Sequence, residues 1–170
     1  ILFWSLGNEA YAGDDIAAMN AFYKDHDNTR LVHYEGVCRN RVYEDRISDM
    51  ESMMYDPPKE IAKYLDNDPK KPFVDCEFMH DMGNSLGGMS SYNDLIDKYP
   101  MYQGGFIWDF IDQAIEVKDE VTGQPVLRYG GDFDDRHSDY EFSGDGLLFA
   151  DRTPKPALQE VKYYYGKHIN

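Results

Sequence analysis

The sequence predicts an α/β fold in which parallel strands are joined by right-handed crossovers. Three observations predict it. Apolar runs of strand length alternate with helices or helix-length connections, the signature of a parallel sheet. The runs number about five, where a closed barrel of this kind needs roughly eight. Two of them end on a glutamate, Asn8-Glu9 after Ile1 to Leu6 and Glu77 after Phe73 to Cys76. In a parallel barrel the strand ends open on one face, so carboxylates far apart in sequence can converge there.

Each element has a local reason. Ile1 to Leu6 has the pattern of a strand covered on both faces. Asp14-Asp15 caps and charges the start of a helix whose Ile16, Met19, Phe22 and Tyr23 share a face. Leu31 to Glu35 is the next strand, then Ser52 to Tyr55, which Pro57-Pro58 stops. Glu60 to Leu65 reads as a brief helix and Pro72 to Glu77 as a strand. Ser91 to Tyr99 reads as a helix with Tyr92, Leu95, Ile96 and Tyr99 inward, and Tyr102 to Phe110 as a strand whose Gly104-Gly105 allows close backbone approach. Ala114 to Arg128 forms a hairpin turning at Thr122-Gly123, and Pro156 to Tyr165 a helix closed by Gly166. No repeat, low-complexity stretch or linker marks a domain boundary, so residues 1–170 read as one unit.

A chain of 170 residues with 42% apolar and 15% aromatic content is globular material. Its formal charge of -15 argues against nucleic-acid and anionic-membrane partners, which reward basic patches. No apolar run approaches the roughly 20 residues needed to span a bilayer. Cys38 and Cys76 are too few for a disulfide scaffold, and Cys76 sits in an apolar strand as a buried thiol, which favours a reducing, cytoplasmic setting. Because Ile1 already lies in a strand, the expectation is a fragment of a longer polypeptide.

Two carboxylates at strand ends are what glycoside hydrolysis needs, one to protonate the leaving oxygen and one to attack or to activate water. Asn8 supplies an amide for a sugar hydroxyl beside Glu9, and His80 follows Glu77 closely enough to share a cleft mouth. Phe73, Val74 and Phe78 around Glu77 predict partial desolvation, which raises a carboxyl pKa unless hydrogen bonds oppose it. Tyr55, Trp108 and Phe142 are the aromatics placed to stack on a sugar's apolar face, against a default of core packing. Gly83 to Gly88 lacks the lysine and hydroxyl of a phosphate-binding loop. Glu77-His80-Asp81 and Asp134-Asp135-His137 match no zinc spacing, whereas Asp132, Asp134, Asp135 and Asp145 in glycine-rich loops suit a hard, oxygen-bound ion or a solvated acidic loop.

Four segments taken together go further: Ser5-Leu6-Gly7-Asn8-Glu9; Cys76-Glu77-Phe78-Met79-His80 running into Met82 to Gly88; Gln103 to Asp109; and Asp145-Gly146-Leu147 through Ala150 to Pro154. In this order, across nearly the whole chain, they resemble the catalytic barrel of glycoside hydrolase family 2 β-galactosidases of the large bacterial type. The resemblance implies a partial (β/α)8 TIM barrel, approximately strands 4 to 8, with Glu9 as general acid and base and Glu77 as nucleophile. It implies that His80, Tyr55 and Trp108 hold galactose with Asn8 on the 2-hydroxyl side. It also implies Mg2+ at Glu9, and Na+ or K+ at the backbone oxygen of Phe142 with Asp145, a position that also contacts the sugar. Asp145 stands where the best-known members have asparagine, and Phe78 where a tyrosine is commoner.

The expectation is therefore a retaining β-galactosidase acting on terminal β-D-galactosides such as lactose. The alternative within the class is a β-glucuronidase or β-mannosidase; a glucuronidase needs a cation for the sugar carboxylate, and no lysine or arginine in the sequence plainly serves either glutamate. The rival from another class is an inactive structural fragment that must assemble with missing segments of its parent chain, its sheet edges at Ile1 to Leu6 and Tyr102 to Phe110 inviting association. A homo-oligomeric parent is expected.

Overall fold

The computed structural model describes residues 1–136 and 138–167. The chain divides into two compact units, Ile1–Glu77 with Tyr92–Gly105, and Phe78–Ser91 with the chain from Phe106 onward. The elements are β1 (Phe3–Ser5), α1 (Asp14–His26), β2 (Leu31–His33), β3 (Glu51–Met54), α2 (Pro58–Leu65), β4 (Phe73–Phe78), α3 (Met89–Lys98), β5 (Tyr102–Ile107), β6 (Ile115–Lys118), β7 (Pro125–Arg128) and α4 (Leu158–Gly166).

The five anticipated strands are β1 to β5, but they form two sheets. β1 pairs with β2 in parallel, while β3, β4 and β5 lie in that order with β3 and β4 parallel. The break has a local cause. The groups of β2 that face away from β1 are taken up just before β3 begins: Val32 N–H donates to Asp49 Oδ2, Asp49 N–H to the Val32 carbonyl, and Tyr34 N–H to Ser48 Oγ. β2 therefore has no spare backbone groups to ladder with β3. The chain after β2 turns into a 3-10 helix, Glu35–Arg39, so the strand is shorter than the apolar run suggested.

In the first unit Leu6, Val32, Tyr34, Val37 and Ile47 form one core, and Ile61, Leu65, Phe73, Leu95, Tyr99 and Tyr102 another. Helix α1 corrects the expected face. Its inner stripe is Ile16, Ala17, Asn20, Tyr23 and Lys24, with Asn20 accepting Ser48 N–H and Lys24 paired to Asp49. At 100° per residue Met19 falls to one side of that stripe and Phe22 nearly opposite its centre, and both are exposed. Ile96 likewise flanks the inward row of Tyr92, Leu95 and Tyr99 and is exposed. Gly13 precedes α1 without a side-chain cap, and Asp14 and Asp15 occupy its first turn, where negative charge suits the helix dipole. In the second unit Met89, Leu147 and Val161 are buried together. The hairpin is as expected: β6 and β7 are antiparallel, and Gly123 takes the positive φ its turn requires.

Two buried positions generate tests. A Cβ on Gly36 would stand 2.2 Å from the Ala10 carbonyl oxygen and 2.5 Å from the Tyr34 ring, so no side chain fits without moving backbone. Gly36→Ala should cost about 2 kcal/mol in urea unfolding; an unchanged midpoint would contradict the packing. Asp75 on β4 is fully buried, and neither carboxyl oxygen has a hydrogen-bond partner. Burial pushes its pKa up to about 8; the backbone N–H groups of Asp56 and Tyr55 oppose the rise without completing a bond, and the Asp56 charge adds to it. Between the ordinary aspartate value of 3.8 and about 8 the folded chain holds a proton that the unfolded chain has lost. Stability therefore falls as pH rises through that window. Asp75→Asn, which is neutral throughout, should gain on the parent across the same window by on the order of 5 kcal/mol, read from urea unfolding at several pH values. A pH-independent difference would contradict a buried, protonated Asp75.

Candidate active site

The predicted site residues fall into two groups. Asn8, Glu9, Tyr55 and Glu77 belong to the first unit, and His80, Trp108, Phe142 and Asp145 to the second.

In the first unit, Asn8 and Glu9 are exposed beyond β1, and Glu9 has a φ of +56°. Two partners hold that conformation. Glu9 N–H donates to Glu35 Oε1 at 2.5 Å, and the Arg39 guanidinium donates to the Glu9 carbonyl. Glu35 is buried and was not anticipated, although it ends an apolar run as Glu9 and Glu77 do. Arg39 is a cation beside Glu9, but its guanidinium is engaged with the Glu9 backbone carbonyl, so it does not overturn the expectation that no lysine or arginine plainly serves either glutamate. It is 30 residues away in sequence, and the 3-10 helix after β2 brings it in.

Glu77 owes its setting to a bulge. Met53 on β3 opposes Asp75 on β4, and Met54 opposes Glu77, so Cys76 is an extra residue without a partner. An extra residue breaks the alternation of side chains and re-aims those that follow. Tyr55 then grips Glu77 at two points: its N–H donates to the Glu77 carbonyl at 2.6 Å, and its hydroxyl to Glu77 Oε2 at 2.8 Å. Tyr55 has a φ of +56° and follows β3 directly. The Cys76 thiol, expected to be buried, is half-buried; it donates to the Met53 carbonyl and is pushed by burial up to about 12, so it stays protonated and unreactive.

In the second unit the four predicted residues come together around Asp145. The carboxylate is almost fully buried; His80 Nε2 lies 3.5 Å from Oδ2 and Trp108 Nε1–H donates to the same oxygen at 3.3 Å. Burial raises the Asp145 pKa, and His80 and the Trp108 N–H oppose the rise. Phe142 packs edge-on against His80, with centroids 5.7 Å apart. Asp145 Oδ1 is buried without a partner. Such an oxygen fits a hard cation, so Asp145 is chemically suited to the sodium or potassium role. Glu9 differs. Among the described residues no group of three or more His, Cys, Asp or Glu side chains is arranged to hold a metal, so magnesium at Glu9 would need ligands from beyond the described residues. The acidic loop is explained locally: Asp135 accepts Gly131 and Phe133 N–H groups and Asp132 accepts Tyr129 N–H. His137 lies outside the described residues. A separate cavity of about 620 Å³ in this unit is lined by Asp81, Asp112, Lys155 and Glu160, among others, and by none of the predicted residues.

Chemically, the first unit offers a carboxylate oriented by a phenol and a second, exposed carboxylate at another strand end. The second unit offers an imidazole, an indole and a buried acceptor, a set suited to hydroxyl groups. Among the described residues no helix is long and apolar enough to cross a membrane.

Residues 1–169 match the sequence profile of the glycosyl hydrolases family 2 TIM-barrel domain. The β-galactosidase large subunits of Leuconostoc lactis and Lactobacillus helveticus are each 74% identical over 168 residues, which is 99% of this chain and 27% of theirs. The chain thus spans about a quarter of the length of the curated relatives it matches. Among solved structures, Ruminococcus gnavus β-glucuronidase superposes with a TM-score of 0.61 at 18% identity, covering 98% of this chain and 32% of that one, a likeness of fold. Strands alternating with helices, glutamates at two strand ends and a profile match along the length have one account: the chain belongs to glycosyl hydrolase family 2 and lies in that family's TIM-barrel domain.

Proposed function

We propose that the chain supplies strands 4 to 8 of the catalytic barrel of a retaining β-galactosidase that hydrolyses terminal β-D-galactosides such as lactose. The observation that carries the reading is the carboxylate of Glu77, set at a bulged strand end and held by the Tyr55 hydroxyl. A hydrogen bond to the anion keeps a carboxylate ionised and aimed, the state a nucleophile needs. The 74% identity to β-galactosidase large subunits supports galactoside as the substrate, and their name supports a further subunit in the assembly. A β-glucuronidase or β-mannosidase has less behind it. The glucuronidase likeness is one of fold, and Arg39, a cation beside Glu9, is engaged with a backbone carbonyl.

In this mechanism Glu9 protonates the glycosidic oxygen while Glu77 attacks the anomeric carbon. The aglycone leaves as the alcohol and galactose stays as an ester on Glu77. Glu9, now ionised, takes a proton from water as the water attacks the same carbon, and Glu77 is released. Asn8, His80, Trp108 and Asp145 are proposed as sugar contacts. Sodium or potassium, held by Asp145 and the Phe142 backbone oxygen, would supply positive charge for the buried carboxylate. Magnesium is proposed at Glu9 only in the company of ligands from other segments, and no step is routed through it. Those segments, the galactoside and other copies of the parent chain are the proposed partners.

In the full-length enzyme, Glu77→Gln should lower turnover of nitrophenyl β-galactoside by at least about a thousandfold with the fold retained, because an amide cannot form the ester. Retention of a tenth of the activity, or inversion at the anomeric carbon by proton NMR, would overturn the nucleophile assignment. Tyr55→Phe removes one hydrogen bond from the carboxylate and should lower kcat by roughly ten- to a hundredfold, less than loss of the nucleophile itself. An unchanged kcat would leave Tyr55 without the role assigned to it.

A further inference from the structure

Ser5, His33, Ser52 and Cys76 stand on β1, β2, β3 and β4 in turn. The side chains connect across the strands: Ser5 Oγ lies 3.0 Å from His33 Nδ1, and His33 Nε2 lies 2.8 Å from Ser52 Oγ, which also faces the Cys76 thiol. His33 and Ser52 are buried, and burial holds the imidazole well below its ordinary pKa, so it is neutral. A neutral imidazole has one donor and one acceptor, and a serine hydroxyl can be either, so both ring nitrogens are satisfied in either tautomer.

The position of this relay gives it more than a packing role. No ladder joins β2 to β3, and the backbone bonds that close the gap all lie before β3 begins. Between the strands themselves, the imidazole hydrogen-bonds on both sides of the gap, to Ser5 in the sheet of β1 and β2 and to Ser52 in the sheet of β3 and β4. The first sheet leads to Glu9, whose N–H is held by Glu35 two residues beyond His33. The second leads to Tyr55, three residues beyond Ser52, and to Glu77, next to Cys76.

We propose that His33 is a positioning residue for the glycosidase reaction, its imidazole fixing the strand that carries the acid/base Glu9 against the strands that carry Tyr55 and the nucleophile Glu77. The inference rests on the function proposed above and adds a residue to it. Carboxylates that act on one anomeric carbon must be held to within roughly half an ångström, and a single bridging ring between two sheets is where that tolerance is set. Glutamine has a donor and an acceptor and can span the two serines; phenylalanine keeps the ring and loses both bonds; Ser52→Ala removes one end and leaves the ring.

The test uses the full-length enzyme with nitrophenyl β-galactoside, comparing His33→Phe, His33→Gln and Ser52→Ala with the unaltered protein and with Glu77→Gln, each checked for thermal unfolding. The expected result is a kcat lowered by about tenfold in His33→Phe and Ser52→Ala with KM within about twofold, and His33→Gln within about threefold of the unaltered enzyme. If His33→Phe does not fold, Ser52→Ala decides. Unchanged kcat in the folded variants, or a loss that glutamine does not restore, would overturn the proposal while the galactosidase reading stands. Absence of hydrolysis by the unaltered enzyme would overturn the galactosidase reading itself.

Discussion

The seam between β2 and β3 is the constraint on which the first unit depends. Parallel strands normally share a ladder, and a ladder sets both spacing and register. Here the groups of β2 that would enter it are spent on Ser48 and Asp49, so spacing passes to side chains. Buried polar side chains carry a heavy penalty unless every group is matched, and that penalty makes them specific. The buried His33 and Ser52 meet the condition, the ring completing its second bond to the exposed Ser5. An apolar seam would pack as well, but it would tolerate sliding that hydrogen-bond geometry does not.

What was legible in the sequence follows from the range of the interactions involved. The strands β1 to β5, the hairpin and the four helices answer to local pattern: apolar runs, proline stops and a glycine at a turn. The strand-end glutamates were legible for the same reason. Inner faces were read less well, because a shared helical face can be offset from the buried one: Met19 and Ile96 flank stripes whose centre is set by partners elsewhere, and Phe22 falls nearly opposite its helix's stripe. The bulge at Cys76 could not be read at all, since a bulge exists only relative to an opposing strand. Glu35 had a signal that went unused: it closes an apolar run as Glu9 and Glu77 do. Arg39 had none, because it reaches Glu9 through a 3-10 helix in a polar stretch that carries no apolar pattern to place it.

The second unit raises a different question, which is why aspartate stands at position 145. Its Oδ2 accepts the Trp108 N–H and lies 3.5 Å from His80 Nε2, and an asparagine oxygen could take the same place. The distinction lies in the other atom. Asparagine would present an N–H2 group, whereas aspartate presents Oδ1, a second acceptor that meets no donor. A buried acceptor in that state calls for positive charge, so aspartate here suits a cation more strongly than the amide would and gives up the donors that an amide offers to a sugar hydroxyl.

Strain completes the account. Glu9, Tyr55 and Met79 are non-glycine residues with φ between +54° and +56°, and each lies just past a strand, beyond β1, β3 and β4 respectively. A left-handed residue costs on the order of 1–3 kcal/mol and persists only where its surroundings over-determine it. For Glu9 the bonds from its N–H to Glu35 and from Arg39 to its carbonyl pin the peptides on either side. For Tyr55 the N–H is pinned to the Glu77 carbonyl while the hydroxyl reaches the Glu77 carboxylate. At Tyr55 the strained backbone and the Glu77 carboxylate are thus held together, while at Glu9 the two bonds fix the backbone from which the side chain departs. A sharp reversal at a strand end is what lets a side chain leave the packed layer and still be fixed, and an extended residue there would carry Glu9 or Tyr55 on along the strand instead.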